Sequence, residues 1–285
     1  MMRAMYSAVS GMKNHQIMLD VVGNDLANVN TIGYKADRVT FKDALYQMQA
    51  GATGGTATVG GKNAEQIGLG VQLGSIDHQM QTGAMQTTGN PLDVAIAGTG
   101  YFRVANTVTA GAPVGLQYTR AGNFTLDNNG NLVTSSGQFV VGYAVDATTG
   151  AQTTTPPTQA IINIPVGSTN VSVGQDGMVS YDTPGGVRNY AGQITLAKFP
   201  NEQGLSRAGG SDWTTSSNSG AEQVGTPGDA NFTTTSLVAG AVEMSNVDMA
   251  TEFTTMITAQ RGFQASGRMI TTADQLLETL VNLGR

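Results

Sequence analysis

The chain has 285 residues, a formal net charge of −6 and no cysteine, which excludes disulfides, thiol catalysis and Cys-ligated metals. With this net charge and no basic run, neither nucleic acid nor an anionic membrane surface is expected as partner, and with no long apolar run no membrane insertion is expected. Charged residues make up 12% of the chain, against roughly 25% in ordinary soluble domains. A surface so poor in long charged side chains loses little rotamer entropy when covered, which suits extensive contact between copies.

The first expected element is a helix over about residues 2–28. Met2, Met5, Val9, Met12, Gln16, Leu19, Gly23 and Leu26 form a largely apolar stripe with the 3.5-residue period of a coiled-coil seam. Asn28, Asn30 and Gly33 end it, Gly33 being suited to a left-handed C-terminal position. Residues 34–49 are mixed polar and aromatic, and 50–62 (AGATGGTATVGGK) read as a flexible Gly/Thr connection. The N-terminus lacks a secretory apolar region, and no stretch approaches the ~18 apolar residues of a membrane span. Any export is therefore expected without a cleaved signal.

From residue 67 the period changes to two. Segments 94–96 and 101–104, around Gly98 and Gly100, are expected to form a hairpin, as are 124–126 and 131–133 around 127–130. Segments 171–173 and 178–180 are a third, weaker pair, and 193–199 one strand. Pro156, Pro157 and Pro165 mark loops, and the polar tract 214–235 is not expected to be regular throughout. Ser245 to Asp248 resembles a capping box. It opens a helix of about 36 residues, roughly 54 Å long, ending at Gly284. Its stripe is Met249, Phe253, Met256, Gln260, Phe263, Gly267, Ile270, Asp274, Leu277 and Val281.

The expected fold is α+β, with coiled-coil-like paired terminal helices and a central β-rich domain of short antiparallel strands. The domain division that follows is 1–30 with 245–285, a connector at 31–70, and an outer β-domain at 71–244. The outward apolar faces expected beyond the seam carry Ala8, Val22 and Val29 on one helix, and Ile257, Met269, Leu276 and Leu280 on the other.

No chemistry is legible. His15 and His78 have no converging ligands and are expected to be ordinary surface or interface residues. The 127–131 loop would place Leu132 where a calcium loop needs glycine, so a β-turn is expected there. Neither Gly68 with Gly70 nor Gly98 with Gly100 has the third glycine of a dinucleotide loop. Gly60, Gly61 and Lys62 lack the Ser/Thr of a phosphate loop, and the carboxylates are scattered. No catalytic residue, cofactor or metal is expected. A secreted carbohydrate-binding or hydrolytic β-protein is the rival from another class, but it leaves both terminal helices without a role.

Specific motifs go further. DVVGNDLANVNTIGYK (residues 20–35), LDVAIAGTGYFRV, YTRAGNFTLDNNGNLV and the run 243–285 resemble, in this order, the bacterial flagellar rod and hook protein family. Its signature falls on Asn24, Leu26, Ala27, Asn28, Gly33, Tyr34 and Lys35. The resemblance implies a non-enzymatic subunit of an axial tube in the flagellum, whose terminal helices pair inside while the β-rich part forms the outer wall. Self-assembly residues would be Met5, Val9, Met12, Leu19, Val22, Leu26, Phe253, Met256, Phe263, Ile270 and Leu277. Implied partners are further copies, neighbouring rod and hook–filament junction proteins, the flagellar cap and the type III export apparatus. The protein would be extracellular, in the hook or basal body. The absence of a large inserted outer domain is rod-like, whereas the Gly/Thr segment and DRVTF (37–41) are similar to short hook proteins. The reading favoured on these residues is a bendable hook that transmits motor torque, with the distal rod as alternative.

Overall fold

The computed structural model describes residues 2–56, 58, 60–109, 112–152 and 158–284. Pro156 and Pro157 lie outside them. The chain divides into two compact units, one of Met1–Ala27, Asp37–Gln79 and Val247–Arg285, the other of Asn28–Ala36 and Met80–Asn246. Residues 37–79 thus join the helical unit, where the sequence suggested mainly a connector.

In the first unit, α1 (Met2–Ala27) and α2 (Met249–Leu283) lie antiparallel. A Cβ at Gly11 would stand 3.2 Å from Ser266 Oγ, and one at Gly262 would stand 2.5 Å from the His15 ring. Asp248, not Ser245, caps α2: its carboxylate accepts from the Ala250 N–H at 3.0 Å and the Thr251 hydroxyl at 2.8 Å. The aspartate is adjacent to the first turn, whereas Ser245 stands three residues before the capping position. Strand β1 (Asp37–Asp43) pairs with β4 (Val71–His78), and β2 (Tyr46–Ala50) with β3 (Glu65–Gly68), all antiparallel. Beyond this pairing Thr53 and Lys62 exchange backbone hydrogen bonds of 2.9 and 3.1 Å. Helix α1 is tied to β4 where Asn14 Nδ2 donates to Val71 O at 2.8 Å and the Val71 N–H to Ser10 Oγ at 3.3 Å.

The second unit holds β5 (Met85–Thr87), β6 (Val94–Ala97), β7 (Tyr101–Thr109), β8 (Ala112–Thr119), β9 (Thr125–Leu126), β10 (Leu132–Val133) and β11 (Phe139–Tyr143). Then come β12 (Gln159–Ile161), β13 (Thr169–Val173), β14 (Met178–Asp182), β15 (Arg188–Ile194), β16 (Leu196–Lys198) and β17 (Ser206–Gly209). The last are β18 (Asp212–Thr214), β19 (Gln223–Gly225), β20 (Ser236–Ala239) and β21 (Ala241–Glu243). The main sheet runs β13-β14-β15-β11-β7-β8-β18-β17. Its core includes Val94, Ile96, Phe102, Phe124, Leu132, Val140, Ile194 and Leu237, and a second cluster gathers Tyr101, Tyr118, Phe199, Leu205 and Trp213.

The expected hairpin of 94–96 with 101–104 does not form. Strand β6 pairs with β20, Ile96 opposite Leu237, while β7 pairs with β8, β11 and β16. Val94, Ala95, Ile96, Tyr101 and Phe102 are all fully buried, and strands buried on both faces lack the alternation that would mark a partner. The other two hairpins are present as β9–β10 and β13–β14. Segment 193–199 is broken into the end of β15 and β16.

Candidate functional site

The stripe residues occupy one region of the helical unit but are not equally covered. Val22 is buried; Met5, Met12, Leu19, Leu26, Met256, Phe263, Ile270 and Leu277 are half-buried; Val9 and Phe253 are exposed. The fully buried positions of α2 are Ala259 and Ala273, each one residue before a stripe position. Half-buried Glu252 and Ser266 continue that seven-residue series. The helices therefore share Met256, Phe263, Ile270 and Leu277 with the expected stripe, but three of the alternate positions, Ala259, Ser266 and Ala273, are small residues. Close approach at Gly11 and Gly262 leaves room for small side chains such as Ser266, whereas Phe253 is exposed. A period search weighted by hydrophobicity misses these small residues.

The expected outward residues divide. Ala8 and Val22 are buried within the unit, which corrects their assignment as outward-facing. Ile257, Met269, Leu276 and Leu280 are each at least half exposed, as are Val281 and Leu283. Apolar exposure on this scale marks a surface that another molecule covers. His15 lies within this unit, its ring 6.3 Å from and edge-on to Phe41, and His78 Nδ1 is 2.6 Å from Asp37 Oδ1.

The signature residues split between the units. Asn24, Leu26 and Ala27 end α1; Asn28, Gly33, Tyr34 and Lys35 belong to the β-rich unit. Asn28 closes a turn, its C=O accepting from the Thr31 N–H at 3.0 Å. Gly33 has φ +68° and donates to Glu243 O at 2.8 Å; any Cβ there would be 2.6 Å from Ala121 N. The left-handed conformation and the lack of space both require glycine. Tyr34 stacks on the Arg207 guanidinium, which also covers the Trp213 ring and donates to Lys35 O.

Lys35 is fully buried, with Nζ 2.6 Å from Glu243 Oε1 and 2.7 Å from Gln81 O. Arg120 Nη1 approaches the other carboxylate oxygen of Glu243 at 3.0 Å, and the Gly83 N–H donates to Oε1 at 2.9 Å. Asn246 accepts from the Ala36 N–H at 2.8 Å and donates to Gln81 O at 3.2 Å. Burial alone would raise the Glu243 pKa, but Arg120 and Lys35 outweigh it and hold the carboxyl below its ordinary value. One buried anion thus binds three separate stretches of chain. Sequence reading singled out Lys35 and missed Glu243, Arg120 and Arg207, for which a buried cation's need of a counter-ion is the only sequence-level hint.

Lys35, Arg120 and Glu243 are engaged with one another and with neighbouring backbone, leaving Arg120 Nε as the unmatched donor, and form a tie, not a reactive centre. Among the described residues no group of three His, Asp or Glu could hold a metal. The 127–131 loop is a turn closed by Asp127 Oδ1, which accepts from the N–H groups of Asn129 and Asn131 at 2.8 Å each. No helix among the described residues is long and apolar enough to cross a membrane.

Three family profiles match: "Flagella basal body rod protein" over residues 5–35, "Flagellar hook protein FlgE/F/G D1 domain" over 95–181, and "Flagellar basal body rod FlgEFG protein C-terminal" over 238–283. The flagellar basal-body rod protein FlgG of Bacillus subtilis is 46% identical across the whole of both chains. The chain belongs to the bacterial flagellar rod and hook protein family. Two relatives from Borreliella burgdorferi separate the branches of that family. Its FlgG is 34% identical over 289 aligned residues, whereas its flagellar hook protein FlgE is 28% identical over an alignment of 448. Each alignment covers at least 99% of this chain and all of the relative, so the hook protein carries a long insertion that this chain lacks. The expectation of a hook subunit gives way here: the rod fits better, and motifs common to rod and hook could not separate them. The family is one of structural flagellar components.

Proposed function

We propose that the chain is a subunit of the distal rod of the flagellar basal body, a non-enzymatic part of a rigid drive shaft that transmits torque. The observation that carries this reading is the end-to-end match to rod proteins without the hook protein's insertion. The apolar residues left open on α1 and α2 support polymerisation with further copies. The terminal helices act as the self-assembling core in a coiled-coil-like arrangement. Met5, Met12, Leu19, Leu26, Met256, Phe263, Ile270 and Leu277, half-covered within one chain, complete their burial in the assembly with Val9 and Phe253. Neighbouring axial proteins, the flagellar cap and the export apparatus are its other partners, and its place is outside the cytoplasm. Electron microscopy of particles assembled from the purified chain tests the reading: straight tubes are expected, curved ones restore the hook, and a chain that stays monomeric at all concentrations refutes both.

A further inference from the structure

We propose that a polar groove on the β-rich unit, over strands β13, β14 and β15, binds an uncharged saccharide. These strands form one end of the main sheet, and their two faces differ. Val173, Val179 and Ile194 belong to the core. Their neighbours in the chain point the other way, as successive strand residues do. On that second face Ser180 pairs across the strands with Ser172 on one side and Tyr190 on the other. Arg188, two residues before Tyr190, reaches over the row, its Nη2 donating to Ser180 Oγ at 2.8 Å and to Ser172 Oγ at 3.1 Å. The turns at 149–150 and 174–176 wall the groove, which has a volume of about 520 Å³. The first turn is fixed to β15, where the Tyr190 N–H donates to Ala147 O at 2.9 Å. A Cβ at Gly150 would stand 3.2 Å from the Tyr190 ring.

The lining selects the ligand. Its side chains are mostly polar, unlike the apolar walls of ordinary small-molecule clefts, so the occupant must itself be covered in hydrogen-bonding groups. Donors and acceptors are both left over. Asp182 lies directly across the strand pair from Arg188, yet its carboxylate accepts from Asn170 Nδ2 at 2.9 Å instead. Among the described residues no carboxylate pairs with Arg188, whose Nε and Nη1 remain as donors. Asp176 spends Oδ1 on the Met178 N–H at 3.1 Å and keeps Oδ2 as an acceptor. Charge then excludes ions of either sign: an anion meets Asp176 and Asp182, and a cation meets Arg188. An uncharged polyol meets neither penalty. Each of its hydroxyls both donates and accepts, the planar guanidinium and carboxylate can each serve two neighbouring hydroxyls, and the Tyr190 ring offers an apolar surface with a polar tip. A sugar combines these needs, with hydroxyls around its rim and C–H groups on its faces.

Saturation-transfer difference NMR on the full-length chain tests this, with cellobiose, maltose and N,N′-diacetylchitobiose as probes. At least one is expected to take up saturation, most strongly at its ring C–H protons. Arg188→Gln and Asp176→Asn are each expected to weaken that binding roughly tenfold while leaving the thermal melt of the chain unchanged, since Arg188 and Asp176 are exposed. Arg188→Lys keeps the charge but loses the fork, and is expected to bind as weakly as Arg188→Gln. Absence of saturation in all three sugars overturns the proposal, and so does undiminished binding by Arg188→Gln, which would place the sugar elsewhere. Full binding by Arg188→Lys, or displacement of the sugar by an equal concentration of acetate or phosphate, would make the groove an anion site and overturn the saccharide assignment. The groove lies outside the terminal helices, so none of these outcomes bears on the assembly reading.

Discussion

Glu243 shows how one residue can organise a fold without doing chemistry. Two cations, Lys35 and Arg120, converge on its carboxylate, and all three side chains are at most 2% exposed. Glu243→Gln leaves both cations buried without a counter-ion and is expected to destabilise the β-rich unit by about 3–5 kcal/mol in urea denaturation. Lys35→Met leaves a balanced Glu243–Arg120 pair and is expected to cost less than half as much. A larger loss for Lys35→Met would refute this division of roles. The pH dependence has a definite sign. The folded carboxyl titrates below its unfolded value, so its contribution is complete above about pH 4.3 and disappears as pH falls through the depressed folded pKa. Acid unfolding of the Glu243→Gln variant should lose that segment of its slope. Lys35 was legible because it is part of the signature; its partner lies 208 positions away, and no local pattern connects them.

At the scale of the element, glycines discriminate between helix propensity and packing. A methyl at Gly23 meets nothing within 4 Å, whereas at Gly262 it meets the His15 ring at 2.5 Å. Gly23→Ala is therefore expected to raise the helix content and stability of the helical unit by about 1 kcal/mol. Gly262→Ala should lower both despite the same gain in propensity. Thermal melts at 222 nm check the ordering, and equal stabilisation by both would show that the helices do not approach closely at Gly262. Both helices were legible to within a few residues because their stripes persist for many turns. The rotation of the α2 seam onto Ala259 and Ala273 was not, because close packing rewards small volume, which a hydrophobic period does not measure. The turn at 127–130 was legible, and that at 175–177 more weakly, because their chemistry is local: Asp127 accepts from the Asn129 and Asn131 N–H groups and Asp176 from that of Met178.

At the scale of the whole molecule, the question is whether the helical unit is complete in one copy. Its two helices bury mainly Ala8, Asn14, Val22, Asp25, Ala259 and Ala273, a small apolar total against ~1–2 kcal/mol of backbone entropy per ordered residue. Completion by other copies is expected, so α1 and α2 should exchange amide hydrogens rapidly in the isolated chain and slowly in the assembly. Strong protection of both helices in the monomer would refute this. Leu19→Asp or Ile270→Asp places a carboxylate where each copy leaves a half-covered apolar side chain. Burying a leucine or isoleucine contributes roughly 1.5–3 kcal/mol, repeated in every subunit, so either variant should remain unassembled by sedimentation while its β-rich unit stays folded. Tubes of normal length from either would overturn the role given to the stripe.

By itself the sequence determined the helical ends, the β-rich middle, two of its hairpins and the family, because these rest on short-range periodicity, turn residues and contiguous motifs. The tertiary structure alone decided that β6 pairs with β20 and not with its neighbour β7, that small residues occupy alternate seam positions, and that Glu243 satisfies Lys35. Each of these joins residues remote in the chain, and fully buried apolar or charged groups carry no local mark of the partner they need.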